Sequence, residues 1–218
     1  MIRGNAFFYK NYWDFMQVSR EIILKGILAM KRLVIMTVGK THSGKTTFAY
    51  ALEKQLSNSI VIDQDNHAEF LNTIYKKLQR DEGPNILKHA LSKLIVDYAK
   101  AHTDYHFIIC NSNRSINGRE YLLQEVYPPT AFVRILVHFN LSDEVLHSRI
   151  KHSARSTAIF RGPITNFEEL LIKQNLESLK EEIVDPSENE ADYLFVINED
   201  KDIDLAIQSI IHIAQTSL

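Results

Sequence analysis

The stretch Gly39-Lys40-Thr41-His42-Ser43-Gly44-Lys45-Thr46 constrains this chain more than any other. It follows the apolar run Leu33–Val38 and precedes a stripe of Phe48, Leu52 and Leu56 at helical spacing. It fits G-x-x-x-x-G-K-[ST] at every fixed position, and a strand before and a helix after is the context that pattern needs. Glycine at 39 and 44 lets the backbone turn tightly and bare its N–H groups. Those N–H groups, with the helix N-terminus behind them, form a cradle for polyphosphate. The expected cradle comprises Gly39, Lys40, Thr41, His42, Ser43, Gly44, Lys45, Thr46 and Thr47. Lys45 is placed to reach terminal phosphates, and the Thr46 hydroxyl is a ligand type suited to Mg²⁺.

The rest of the chain repeats the strand-then-helix rhythm. Leu33–Val38, Ser59–Ile62, Phe107–Cys110, Val133–Phe139 and Tyr193–Ile197 are continuous apolar runs rich in β-branched residues. Continuous rather than alternating runs predict strands covered on both faces. Between them lie helical patterns. Ile86, Ala90, Leu94, Val96 and Tyr98 predict one helix. Ser142, followed by Asp143 and Glu144, predicts the start of another. Asn166 with Glu169 resembles a capping box for a helix through Leu170, Gln174 and Leu179, and a last helix follows Asp202. This alternation predicts an α/β domain with a mainly parallel sheet. Tyr and Phe fall mostly within the expected elements and are assigned to the core.

Composition narrows the function. The 218 residues carry a formal net charge of −2, which argues against a general nucleic-acid or membrane-surface binder. Cys110 is the only cysteine, so no intramolecular disulfide and no Cys-rich zinc site can be assembled. That suits a reducing cytoplasm. No apolar run has the length of a membrane span. Residues 1–29 read as an N-terminal extension to a domain over 30–218. Phe15, Val18, Ile22, Gly26/Ile27 and Met30 either mark an extra helix, or translation begins at Met30. The segment lacks the features of a signal peptide.

Ligands of open α/β sheets bind beyond the carboxyl ends of the strands, so the reaction must be read from those ends. The second strand runs into Asp63-Gln64-Asp65. Such a pair can divide labour, one carboxylate holding Mg²⁺ and the other taking a proton from an attacking hydroxyl. It can equally be a turn cap. Asp65, further from the strand, is the preferred base; Asp63 is the second candidate and, with Thr46, the candidate metal ligand. The third strand ends in Cys110-Asn111-Ser112-Asn113-Arg114. Asn111 brings no charge where nucleotide-hydrolysing machines usually offer an acid. Arg114 and Arg119 are either anion-orienting groups or residues of an ordinary loop. After the fourth strand Arg149, Arg155 and Arg161 recur every six residues, as a mobile basic lid over transferring phosphates would require, or as a basic helix end would show without any ligand. His102 and His106 have the spacing of a metal pair but straddle the approach to a strand.

Taken together, the cradle, the DQD stretch and the arginine-bearing segment resemble the P-loop small-molecule kinases, the group of nucleoside-monophosphate, shikimate and gluconate kinases. CNSNR and FEELLIKQ look closer to its zeta-toxin-like and polynucleotide-kinase-like ATP-binding branch. The resemblance covers roughly Met30 to Leu218 in layout, with only the cradle specific. It implies a P-loop NTPase three-layer fold, a five-stranded parallel sheet in order 2-3-1-4-5 with helices on both faces and a short lid. It implies ATP, Mg²⁺ and phosphoryl transfer to a small hydroxyl- or phosphate-bearing acceptor. Carried over, Lys45 and Thr46 are the phosphate and Mg²⁺ ligands, Asp63 or Asp65 the base, and Arg149 and Arg155 the lid arginines. Asn111 departs from the pattern, standing where many relatives place Asp. That keeps a nucleotide-binding regulator without phosphotransfer as the alternative, with a 5′-end nucleic-acid kinase as a third.

Overall fold

A computed structural model describes residues 31–80 and 82–216. The expectations for residues 1–29 and for a start at Met30 lie outside the described residues.

The five apolar runs form the strands β1 (Arg32–Val38), β2 (Ser59–Asp63), β3 (His106–Cys110), β4 (Phe132–Phe139) and β5 (Tyr193–Ile197). All pair in parallel, in the order β2-β3-β1-β4-β5. Helices intervene: α1 (Lys45–Gln55), α2 (Gln64–Ile74), α3 (Ile86–His102), α4 (Ile116–Tyr121), α5 (Asp143–Lys151), α6 (Phe167–Glu177) and α7 (Lys201–Thr216). A 3₁₀ turn, Lys76–Leu78, follows α2, and a π-helical turn, Leu122–Val126, follows α4.

The central strand shows why its run is continuous. Leu33 and Ile35 face a core shared with Phe48 and Leu52 of α1 and Ile207 and Ile210 of α7. Val34 and Met36 face the opposite core, with Val96 and Ala99 of α3 and Leu123 and Tyr127 beyond α4. Both side-chain sets of this period-two strand are therefore buried and mostly apolar, and the one polar residue among them, Thr37, bonds the Asn111 carbonyl at 3.0 Å.

Several local expectations need correction. Helix α3 forms, but on another face. Ile86, Leu94 and Tyr98 are largely exposed, while Ser92, Val96 and Ala99 are buried. Phe70, Tyr75, Tyr105 and Tyr121 are likewise exposed rather than core. Ser142 occupies the N-cap position of α5 without a side-chain capping bond. Asn166 does cap α6, accepting from the Glu169 N–H at 2.9 Å, but Glu169 reaches back to the Thr165 N–H at 2.8 Å, one residue further out than a standard box. Leu179 lies beyond the end of that helix. Helix α2 begins directly after β2, so Asp63 and Asp65 belong to a helix start rather than a loop.

Candidate active site

The loop between β1 and α1 is held from behind before any ligand arrives. The Gly39 N–H donates to the Ser112 carbonyl at 2.9 Å, and the Asn113 amide donates to the Thr37 carbonyl at 2.9 Å. Gly39 has φ of +149°, and a Cβ there would stand 3.0 Å from both Cβ and O of Phe139. Gly44 has φ of +100° at the N-cap of α1. Both glycines are thus required by conformation, and Gly39 by space as well.

Helix α6 grips the front of the same loop at three successive residues. Gln174 Oε1 accepts from the Thr41 N–H at 2.7 Å. Asn175 donates to Asp143 at 2.8 Å, and Asp143 pairs with Lys40 at 2.6 Å. The Phe167 ring meets the His42 ring edge-on at 4.5 Å. His42 itself has a left-handed φ of +57°. Burial, aided by Arg155 and Lys45, pushes its imidazole down to about 4, so it is neutral at pH 7. Lys40 is consequently a paired residue at the loop entrance rather than a free phosphate ligand.

Lys45 Nζ donates to the Lys40 carbonyl and to Ser43 Oγ. Burial pulls its pKa down to about 8, with nearby Cys110, Asp65 and Asp63 opposing the shift. A cation desolvated in this way gains strongly from an arriving phosphate. The Thr46 hydroxyl makes a weak 3.5 Å contact with Cys110 Sγ. Burial pushes the Cys110 thiol up to about 11, which makes it an inert part of the wall. Thr47 is exposed at the rim.

These groups open into a cavity of about 790 Å³, also lined by Asp65, Asn111, Arg149 and Arg155. The two aspartates have separated roles. Asp65 lines the cavity and forms an ion pair with Arg155. Asp63 is buried and caps α2, accepting from the Asp65 N–H at 2.9 Å. Burial raises its pKa, while that backbone bond opposes the rise. Asn111 donates to Gln64 at 2.9 Å, bracing the start of α2.

The three arginines also part company. Arg149 lies on α5, donating to the His42 carbonyl at 3.4 Å and pairing with Asp200 at 2.6 Å. Arg155 lies in the following loop, its guanidinium 5.2 Å from the Phe167 ring centroid. Arg161 reaches away from the cavity to the carbonyls of Arg80 and Gly83. Arg119, read from sequence as either an anion-orienting group or an ordinary loop residue, is neither. It is fully buried and bidentate to Glu190 at 2.6 and 3.0 Å, and it also holds the carbonyls of Asn113 and Arg114. Arg114 donates to the Gln174 carbonyl and to Ser178. His106 accepts from the Leu33 N–H and His102 lies against Tyr98. Among the described residues no cluster of three or more His, Cys, Asp or Glu could hold a metal by itself.

Residues 34–172 match the family model described as AAA domain. The chain belongs to the AAA domain family. Within this family match, the P-loop identifies a nucleotide-binding domain. No curated protein matches the chain. Among solved structures, a Chloroflexus aurantiacus protein assigned provisionally as a kinase is 18% identical, with 87% of this chain and 99% of that one covered and a TM-score of 0.56. The Mycobacterium tuberculosis APS kinase, solved with AMPPNP and APS, is 16% identical over 85% and 99%, at 0.52. Shikimate kinase from Bacteroides thetaiotaomicron is 15% identical over 84% and 98%, at 0.50. At these identities the likeness establishes the P-loop kinase-like fold. Among the described residues no helix is long and apolar enough to cross a membrane.

Gln174, Asn175 and Asp143 are the contributors that sequence reasoning missed. Gln174 falls three residues after Leu171 and seven after Phe167, on the buried stripe of α6. A polar residue on a buried stripe was the available signal.

Proposed function

We propose that this AAA-domain chain is an ATP- and Mg²⁺-dependent phosphotransferase acting on a small hydroxyl- or phosphate-bearing acceptor. The observation that carries the reading is the convergence of Lys45, Arg149, Arg155 and Asp65 on one cavity. A cradle for phosphates, two cations beside it and a carboxylate opposite are the parts that phosphoryl transfer needs. Lys45, with the amides of residues 42–47, holds the terminal phosphates. Arg155 pairs with Asp65 in the described state, and incoming phosphates compete for its guanidinium. That exchange leaves Asp65 free to orient or deprotonate the acceptor. Asp63 acts as the buried brace that aims Asp65.

The residues present suit Mg²⁺. Thr46 and the aspartates are hard oxygen donors. The Thr46 hydroxyl makes only a weak contact with a thiol, and Asp63 uses one oxygen for its cap. Thr46 and Asp63 would hold the ion, with most other ligands coming from phosphate and water, and the ion would neutralise charge that develops on the phosphates.

The test is a screen of small acceptors with labelled ATP. Acceptor-dependent ADP formation that disappears in Lys45→Ala supports the reading. The alternative, a nucleotide-binding regulator that transfers nothing, draws on Asn111, which is neutral and turned toward Gln64. ATP binding without turnover across the panel favours it. Acceptor-dependent turnover that survives both Asp63→Ala and Asp65→Ala removes the aspartates from the role of base.

A further inference from the structure

One residue of the cradle stands against the preference of its own backbone. His42 has a φ of +57°, a left-handed conformation that glycine adopts freely and other residues only at a cost. Its ring Nε2 is buried with no hydrogen-bond partner, while Nδ1 lies 3.1 Å from the Thr41 hydroxyl. A buried polar atom without a partner is a second cost. A glycine at 42 would avoid both and still supply the backbone N–H. Strain held in a functional loop points to a role for the side chain that bears it.

The contacts of the ring show what that role is. The His42 ring packs on Phe167, the first residue of α6, with centroids 4.5 Å apart. Phe167 is itself buried. Phe160, from the loop after α5, meets the same Phe167 ring edge-on at 4.9 Å. The Arg155 guanidinium, from that loop as well, lies 5.2 Å from the Phe167 centroid. Arg155 is the cation that pairs with Asp65 in the cavity. One ring therefore joins the cradle, the loop and a cavity cation. The neutral His42 imidazole packs there without adding a charge against Arg155. Arg149 is held differently: it donates to the His42 backbone carbonyl at 3.4 Å, a contact that does not involve the ring.

We infer that His42 and Phe167 are positioning residues that seat the Arg155 guanidinium beside the terminal phosphate of a bound nucleoside triphosphate. This inference rests on the phosphotransferase reading and names two residues that place its cation. An aromatic face attracts a cation without fixing a hydrogen-bond direction. The guanidinium can therefore exchange the Asp65 carboxylate for phosphate oxygens while it stays over the ring. The His42 ring, packed between Phe167 and the cradle, sets where that ring stands relative to the phosphates. A cation positioned in advance needs little reorganisation when charge arrives.

The test is the ratio of affinities for a non-hydrolysable ATP analogue and for ADP, each with Mg²⁺, titrated by calorimetry into the full chain. That ratio reads the contacts to the terminal phosphate. Arg155→Ala should lower it on the order of tenfold, the loss of one charge-assisted contact. His42→Gly, which keeps the loop backbone, and Phe167→Leu should each lower it about three- to fivefold, while Phe167→Tyr, which keeps an aromatic face, should retain it. In the Arg155→Ala background neither His42→Gly nor Phe167→Leu should lower it further. In the Arg149→Ala background both should, because the ring does not hold Arg149. The inference is overturned if the ratio ignores Arg155→Ala or both ring variants, or if their losses multiply with that of Arg155→Ala. Coupling to Arg149 as large as that to Arg155 also overturns it, since the ring would then shape the whole loop. Substitutions on two separate elements keep the test in force if one variant fails to fold. Neither nucleotide is turned over in this titration. An acceptor screen that finds no phosphorylated product would therefore remove the transfer reading and leave the seat for Arg155 standing.

Discussion

The two walls of the cleft are built on opposite principles. The cradle wall is braced from both sides. The β3 loop props Gly39 and Thr37 from behind, and Gln174, Asp143 and Phe167 hold residues 40–42 from the front. On the α2–α3 side the elements are laced together, His67 to Ser92 and Asn72 to the carbonyl of Ala158, while Phe70, Leu94 and Tyr98 are exposed. A cradle fixed in advance loses little entropy when phosphates bind.

That contrast can be broken from either side. The largest expected effect falls on the frame of the cradle. Arg119→Met leaves Glu190 without its bidentate partner and frees the carbonyls of Asn113 and Arg114. A loss of about 3–5 kcal/mol of stability is expected, read by denaturant unfolding, since one half of a buried pair stays behind. A variant as stable as the parent would show that the cradle is not held from behind. Next comes Lys45→Ala, for which turnover should fall on the order of 10²–10³-fold, as for other losses of a charge-stabilising donor.

Gln174→Leu is a finer probe. It removes one buried hydrogen bond from the Thr41 N–H. At about 1 kcal/mol, nucleotide should bind roughly fivefold more weakly in a calorimetric titration. Unchanged affinity would make α6 a neighbour of the loop and not its clamp.

The smallest effect is in acid. Burial of Glu190 works against its ionised form, but the bonds from Arg119 and Ser187 outweigh it and hold its pKa below the ordinary glutamate value of 4.5. A depressed carboxylate contributes stability that is full above 4.5 and lost as pH falls through its lower folded value. Wild-type stability should therefore decline below pH 4.5, and Arg119→Met should flatten that part of the curve.

How legible the protein was from its sequence follows the same division. All five strands were readable to within a residue or so at their ends, because a strand buried on both faces is made almost wholly of apolar side chains. The cradle was readable because its glycines have no substitutes: the backbone there is left-handed or crowded against Phe139. Asp65 and Arg155 could be named but not joined, since ninety positions separate them and nothing local encodes an ion pair. Arg119 was misplaced for a related reason. Its partner, Glu190, lies seventy-one residues away, so a buried anchor looked like a surface cation. Gln174 passed as one more residue of a buried helix face.

What the sequence determined by itself is the repeating, locally enforced part: sheet, crossover helices and phosphate loop. Each follows from the periodicity of burial or from a backbone conformation that only glycine adopts easily. What only the tertiary structure decided is which charges meet. Whether Arg119, Arg155 or Arg161 becomes a buried anchor, the partner of a cavity carboxylate or a clasp on backbone carbonyls depends on the groups that the β2-β3-β1-β4-β5 order brings beside it. Electrostatic energy depends on distance and burial, and neither quantity is written along the chain.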